Sequence, residues 1–285
     1  MIESLFQKNK TVYSFEVFPP KKEDDFTAAF STLDSMAKCN PDFISVTYGA
    51  GGSKSKKTVD IASYIKNQLD IPSIAHLTCV GSKKYELDLI LEQLKENHVN
   101  DILALRGDRP QSMSDEQYQR RDFRYASELI TYLNQKDHFT VAAACYPEKH
   151  FESPNLSEDL YHLKEKQEAG ARFMISQLFF DNNHFYNFLE QLPRYHISIP
   201  ICAGVMPITS ASQLGTTVSL SGSSVPKELS DLIARYSDSP EDMRKAGIDY
   251  ACRQMLDLKE HHVDGIHIYT MNKAKMAEEI MHAIR

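Results

Sequence analysis

The stretch "YSFEVFPP", Tyr13 to Pro20, sets a problem whose answer decides the fold. Aromatic and β-branched residues flank Glu16 and read as a buried strand. A carboxylate inside such a strand is costly unless it is paired or its ionisation shifts. Period-two alternation gives its direction. Val12, Ser14 and Glu16 share one face, and Tyr13, Phe15 and Val17 share the other. The large apolar face belongs against surrounding helices, which turns Glu16 inward. At this point Glu16 is either a structural carboxylate bonded to an Arg or Tyr of a neighbouring strand, or a functional group.

Working outward, runs of the same kind recur along the chain: "VYSFEVF", "FISVTY", "SIAHLTC", "DILALRG", "TVAAACY", "FMISQLFF", "IPICAGV" and "GIHIYT". Most gaps between them hold one amphipathic helix. "DDFTAAFSTLDSMAKC" places Phe26, Phe30, Leu33 and Ala37 on one stripe, with Asp24 or Asp25 as N-cap. "KKYELDLILEQLKENH" does the same with Leu87, Ile90, Leu91 and Leu94. "SEDLYHLKEKQEAGA" reads as a helix from Ser157 that Gly170 stops. Strands alternating with helices argue for parallel βαβ units. Eight such units predict an α/β protein, a single (β/α)8 barrel over residues 1–285.

The ends of the runs support closure. Thr47, His76, Arg106 with Asp108, Tyr146, Gln177 and Tyr269 sit at or just past the last residues of their strands. In such a barrel these ends converge on one mouth, where active sites are built. The long interval between "AGVMPIT" and "GIHIYT" predicts extra helices before the last strand, with "SLSGSSVPKEL" as a loop ahead of them.

Composition narrows the class. The 285 residues are 42% hydrophobic and 25% charged, as in ordinary globular proteins, and the net charge is −7. No basic run suits a nucleic-acid groove; "KSKK" at Lys54 to Lys57 reads as a solvated loop. The five cysteines Cys39, Cys79, Cys145, Cys202 and Cys252 are scattered, the pattern of a reducing compartment. The opening "MIESLFQKNK" has no signal pattern, and no apolar run approaches about 18 residues. A cytoplasmic protein with neither membrane nor nucleic acid as partner is expected.

Several residues could carry chemistry. Arg106 and Asp108 in "LALRGD" are either a local ion pair or part of the mouth, where Gly107 would admit close backbone approach. Two carboxylates at one mouth, Glu16 and Asp108, can be held at different pKa values. His76 and His150 could ligate a metal with those carboxylates, but strand-end histidines more often hydrogen-bond, and no metal is expected. His261 and His262 read as surface, and His267 as a strand residue. "GAGG", 49–52, matches neither dinucleotide nor Walker patterns. Gln177 suits an amide-like heterocycle edge or, equally, barrel-core carbonyls.

Taken in order, "FEVFPP", "SVTYGAGG", "AHLTC", "LALRGD", "YPEKH", "SQLFFD" and "IYTMNKA" resemble the catalytic barrel of the methylenetetrahydrofolate reductase family, from about Ser14 to Lys275. The length resembles its short bacterial form, without a regulatory domain. The resemblance implies FAD, reduced by NADH or NADPH, then reduction of 5,10-methylenetetrahydrofolate to 5-methyltetrahydrofolate in a ping-pong scheme that feeds methionine synthesis. A homo-oligomer is implied as well.

Residue by residue, Glu16 matches the general acid that protonates folate N10, a task requiring a carboxyl still protonated near neutral pH. Asp108 matches the aspartate that stabilises the cationic intermediate and tunes the flavin. Gln177, Gln213 and Lys273 match substrate contacts. FAD positions fall on Thr47, His76, Leu105, Arg106, Gly107, Asp108, Tyr125, Ala126, Ala144, Tyr146, His150, Asp159, His162 and Lys166. Lys166, Arg106 and His162 would address the diphosphate, and Asp159 a ribose. Asp159, His162 and Lys166 are spaced to share one helical face. His162 stands where Asn is frequent, Lys273 where Arg is, and Thr217 near where some relatives carry Phe. Two other readings stand beside this one: a metal-dependent barrel lyase or aldolase, and a folate- or flavin-binding partner without turnover.

Overall fold

Every one of the eight apolar runs is a strand, and each is buried on both faces, as parallel strands between a filled interior and a helical coat must be. The computed structural model describes residues 1–8, 10–20, 25–48 and 53–285. In chain order the strands are β1 (Val12–Val17), β2 (Phe43–Val46), β3 (Ser73–Thr78), β4 (Asp101–Leu105), β5 (Thr140–Cys145), β6 (Phe173–Ser176), β7 (Ile201–Val205) and β8 (Gly265–Tyr269). All neighbours pair in parallel, and β8 returns to β1 with Ser14 opposite His267 and Glu16 opposite Tyr269, closing the barrel.

Alternation sorts the side chains into two cores. Tyr13, Phe15 and Val17 join the large core between strands and helices. Val12 joins Phe43, Ile74, Leu103, Ala142, Phe173, Ile175 and Cys202 inside the barrel. Below them the 3-10 turn Ile2–Lys8 closes the floor: Ile2 is fully buried and its N–H donates to Asp101 Oδ1 at 3.1 Å. The lower interior of the barrel is therefore filled by side chains.

The helices follow their stripes. In α1 (Phe26–Ala37) Leu33 and Met36 are buried, while Phe30 stacks on Tyr64 of α2 (Ser53–Asn67), with ring centroids 4.0 Å apart. Asp25 occupies the N-cap of α1 without a side-chain capping bond. In α3 (Lys84–Glu96) Leu87, Ile90, Leu91 and Leu94 are all buried. After the short α4 (Asp115–Gln119) and α5 (Ala126–Asn134) comes α6 (Leu156–Glu168), capped by Asn155 rather than starting at Ser157. Asn155 Oδ1 takes the N–H of Glu158 at 3.0 Å.

Two expectations are corrected. "KSKK" is helical, within the first turns of α2, and Lys57 is buried with its ammonium on the Pro20 carbonyl at 3.1 Å. Its long stem makes that burial tolerable. "SLSGSSVPKEL" is not a loop throughout. Following α7 (Asn182–Gln191), helix α8 (Ala211–Ser221) runs through "SLS" and ends at Gly222 with φ +71°. The link to α9 (Lys227–Tyr236) is short, and α10 (Pro240–Glu260) completes the extra helices before β8; α11 (Ala274–Ile284) follows it. "GAGG" lies outside the described residues.

The backbones of α10 and the segment after β7 touch at Gly247, where a Cβ would stand 1.7 Å from the Ile208 carbonyl oxygen. Gly247→Ala must push the helix off the barrel. It is expected to cost about 2 kcal/mol or more, read as a lower denaturant midpoint at unchanged m-value.

Candidate functional site

Glu16 is the last inward-facing residue of β1 and stands above Ser14 and the solid interior. Its side chain is 12% exposed, and Oε2 lies 3.8 Å from Nε2 of both His76 and His267. Among the described residues no Arg, Lys or Tyr bonds to it. The tyrosine facing it, Tyr269, donates its hydroxyl to the Ser176 carbonyl at 2.8 Å instead. Gly204 makes room for that, since a Cβ there would meet Ser176 O at 2.4 Å. The structural alternative for Glu16, a bond to Arg or Tyr on the next strand, is not formed.

Burial lowers the pKa of His76 to about 4, against the pull of Glu16. It is therefore neutral at neutral pH and puts no fixed positive charge beside the carboxyl. The depressed value also carries a stability prediction. The unfolded chain protonates His76 near its ordinary pKa and the fold resists until about 4, so stability present above about 6.5 is lost as pH falls toward 4. The loss is roughly 3 kcal/mol. Asp101, raised by burial to about 6, works in the opposite sense between about 6 and its ordinary value. Unfolding titrations across this range should therefore show His76→Gln gaining stability relative to the parent as pH falls.

A cavity of about 350 Å³ opens beside the mouth, between the ends of β4 and β5, the start of α5 and the face of α6. It gathers Leu105, Arg106, Tyr125, Ala126, Ala144, Tyr146, His150, Asp159, His162 and Lys166. Thr47, His76, Gly107 and Asp108 are not among its walls; they stand at the strand ends. Gly107 there has φ +80° and packs so tightly that a Cβ would come within 2.8 Å of Thr78.

Asp159, His162 and Lys166 do share one face of α6, and each has a distinct local task. Asp159 fastens the segment after β5 to the helix, taking the His150 N–H at 3.2 Å and the Ser153 hydroxyl at 2.9 Å. His162 stacks on Tyr125 and pairs with Glu165 at 2.8 Å. Lys166 donates to the Ala144 carbonyl at 2.9 Å, and among the described residues no carboxylate lies within ion-pair distance. Burial lowers its pKa, with Asp159 partly offsetting that. Burial likewise pushes the Tyr146 hydroxyl up to about 12.

Sequence reasoning missed Glu152. Its carboxylate grips the Arg106 guanidinium through both terminal nitrogens, one contact at 2.8 Å. Arg106 Nε reaches the Gly107 carbonyl at 3.3 Å, so three of its donors are engaged, while Lys166 keeps ammonium donors beyond its one bond to Ala144. Arg106 pairs with Glu152, not with Asp108, which is exposed at the rim. The local ion-pair alternative for "LRGD" is thereby corrected.

Gln177 lies one residue past β6 and turns Oε1 back to the Leu178 N–H at 2.9 Å. Gln213 and Lys273, distant in sequence, meet at Thr209: Gln213 Oε1 accepts from its N–H and hydroxyl, each at 3.0 Å, and Lys273 Nζ donates to the same hydroxyl at 2.9 Å. Thr217 is buried in α8, its hydroxyl on Met206 Sδ at 3.4 Å. Among the described residues no three His, Cys, Asp or Glu side chains gather as metal ligands would. None of the described helices is long and apolar enough to cross a membrane.

The family model for methylenetetrahydrofolate reductase matches residues 1–285. The chain is 30% identical over 271 residues to the 5,10-methylenetetrahydrofolate reductase of Escherichia coli, covering 95% of this chain and 90% of that one. It is 32% identical over 291 residues to methylenetetrahydrofolate reductase (NADH) 1 of Arabidopsis thaliana, of which it spans 49%. The chain thus spans about half the length of its plant relatives. In shape it resembles a Clostridium thermocellum protein described as binding two copies of 5-methyl-5,6,7,8-tetrahydrofolic acid, with TM-score 0.61 over 98% of both chains. At 13% identity that likeness shows the fold alone. By family model and by relatives, this chain belongs to the methylenetetrahydrofolate reductase family.

Proposed function

We propose that this chain reduces 5,10-methylenetetrahydrofolate to 5-methyltetrahydrofolate with FAD as its resident cofactor and NADH or NADPH as donor. The observation that carries the reading is Glu16, a carboxyl held at the mouth of a filled barrel between two imidazoles, with no lysine or arginine among the described residues paired to it. A site that only bound folate or flavin would have no use for an acid there.

The residues fit a dinucleotide. Lys166 offers ammonium donors for a diphosphate from a partly buried position, with no carboxylate paired to it among the described residues, and 350 Å³ is within the usual range for ligand cavities. Tyr125, stacked with His162, offers an aromatic surface at the rim. Thr47, His76, Gly107 and Asp108 would meet the flavin end. When bound, FAD supplies a hydride carrier between the nicotinamide and the folate.

The chain's own part is acid and electrostatic. Glu16 gives its proton to folate N10, the bond from the bridging carbon to N10 breaks, and an N5 iminium is left for reduction. Asp108, a carboxylate at the rim, stabilises that cation. Gln177 contacts nicotinamide and folate in turn, while Gln213 and Lys273, joined through Thr209, orient the folate. The reading includes a cytoplasmic homo-oligomer acting on small molecules. Its test is optical: the purified protein should absorb as a flavoprotein, and anaerobic NADH or NADPH should bleach it. A colourless protein whose activity follows a divalent metal would overturn it.

A further inference from the structure

His267 belongs, by alternation, with Gly265 and Tyr269 on the inward face of β8, and it is fully buried. Its register partners are Ser14 on β1 and Gly204 on β7. Nδ1 lies 2.7 Å from the Ser14 hydroxyl and Nε2 3.4 Å from the Ser45 hydroxyl. The ring stacks on Phe43, centroids 6.0 Å apart, and meets Tyr269 edge-on at 5.3 Å. It is thus clamped on every side, and its Nε2 faces Oε2 of Glu16.

We propose that His267 is the positioning residue for Glu16: anchored by Ser14 and Ser45, it confines Oε2 from below so that Oε1 is presented to the substrate. This rests on the reductase reading above. Among the described residues the groups facing the carboxyl are Ser45 from β2, His76 from β3, and His267 and Tyr269 from β8. Both imidazole Nε2 atoms approach the same oxygen, Oε2, each at 3.8 Å. Oε1 takes no hydrogen bond from the described residues. His76 stands among the cofactor positions, whereas His267 has no other assignment and lies beneath the acid.

The Ser14 hydroxyl suits this task because it can donate or accept. Ser14 can thus hold Nδ1 in either tautomer, while Nε2 keeps its place between the Ser45 hydroxyl and Oε2 of Glu16. At 3.8 Å the ring makes no direct hydrogen bond to Oε2; in either tautomer it confines that oxygen and leaves Oε1 to carry the proton toward the substrate. Misplacement of a reacting group by about 1 Å can cost on the order of 100-fold.

The test separates the two half-reactions of His267→Leu in the flavin-loaded enzyme. Reduction by NADH should proceed at the parent rate. Folate reduction should fall about 10- to 100-fold in kcat at unchanged KM, with a pH-rate profile for that half-reaction that no longer follows the parent's. His267→Gln, which keeps a polar nitrogen near the position of Nε2, should recover part of the rate. If His267→Leu does not fold, Ser14→Ala removes the anchor and should move the same profile less. A parent-like folate rate and pH profile, or equal slowing of both half-reactions, would overturn the assignment. A parent enzyme that reduces no folate at all would instead sink the reductase reading beneath it.

Discussion

Glu16→Gln should retain flavin and accept hydride from NADH or NADPH at the parent rate, yet lose about 100- to 10,000-fold in reduction of methylenetetrahydrofolate. The amide preserves shape, so the packing with His76 and His267 survives, and only the transferable proton disappears. Without it the leaving nitrogen departs as an anion, and the lost proton transfer has the size of a general-acid contribution. The two half-reactions make the result specific: a folding defect would slow both, whereas a missing acid slows one. Stopped-flow absorbance at the flavin band reads each in turn. A variant that reduced folate as fast as the parent would remove Glu16 from the chemistry.

Lys166→Met should weaken FAD binding by about 10- to 100-fold, the value of one charge-assisted hydrogen bond or somewhat more. The methionine keeps the aliphatic stem against Tyr146 and the cavity wall but loses the ammonium, and the charge of Arg106 is already paired with Glu152. Fluorescence titration of stripped protein with FAD and with riboflavin distinguishes causes, because riboflavin carries no phosphate. The loss should appear for FAD and be small for riboflavin; equal losses would assign Lys166 to packing alone.

Much of this architecture can be read from the chain because parallel strands buried on both faces appear as unbroken apolar runs. The same alternation that turned Glu16 inward also turned His267 inward, between Gly265 and Tyr269, so that signal was present. What concealed its importance was Ser14 and Ser45, whose hydroxyls point at nothing until the barrel closes. The Arg106–Glu152 pair was hidden for a related reason: it joins residues 46 apart, and Asp108 two positions away offered a nearer partner. Local propensity misled elsewhere. The serine-rich end of α8 reads as loop, yet Thr217 and Ser221 are buried and tertiary packing holds the helix to Gly222. The meeting of Gln213 and Lys273 at Thr209 likewise depends on closure of β8 against β7, which no spacing along the chain displays.

The most direct test of the account is a single turnover. Protein bleached anaerobically with one equivalent of NADH or NADPH, then freed of nicotinamide, is mixed with 5,10-methylenetetrahydrofolate under exclusion of oxygen. Flavin colour should return, and one 5-methyltetrahydrofolate should form per flavin. Flavin that stays bleached until air is admitted, with the folate recovered unchanged, would contradict it.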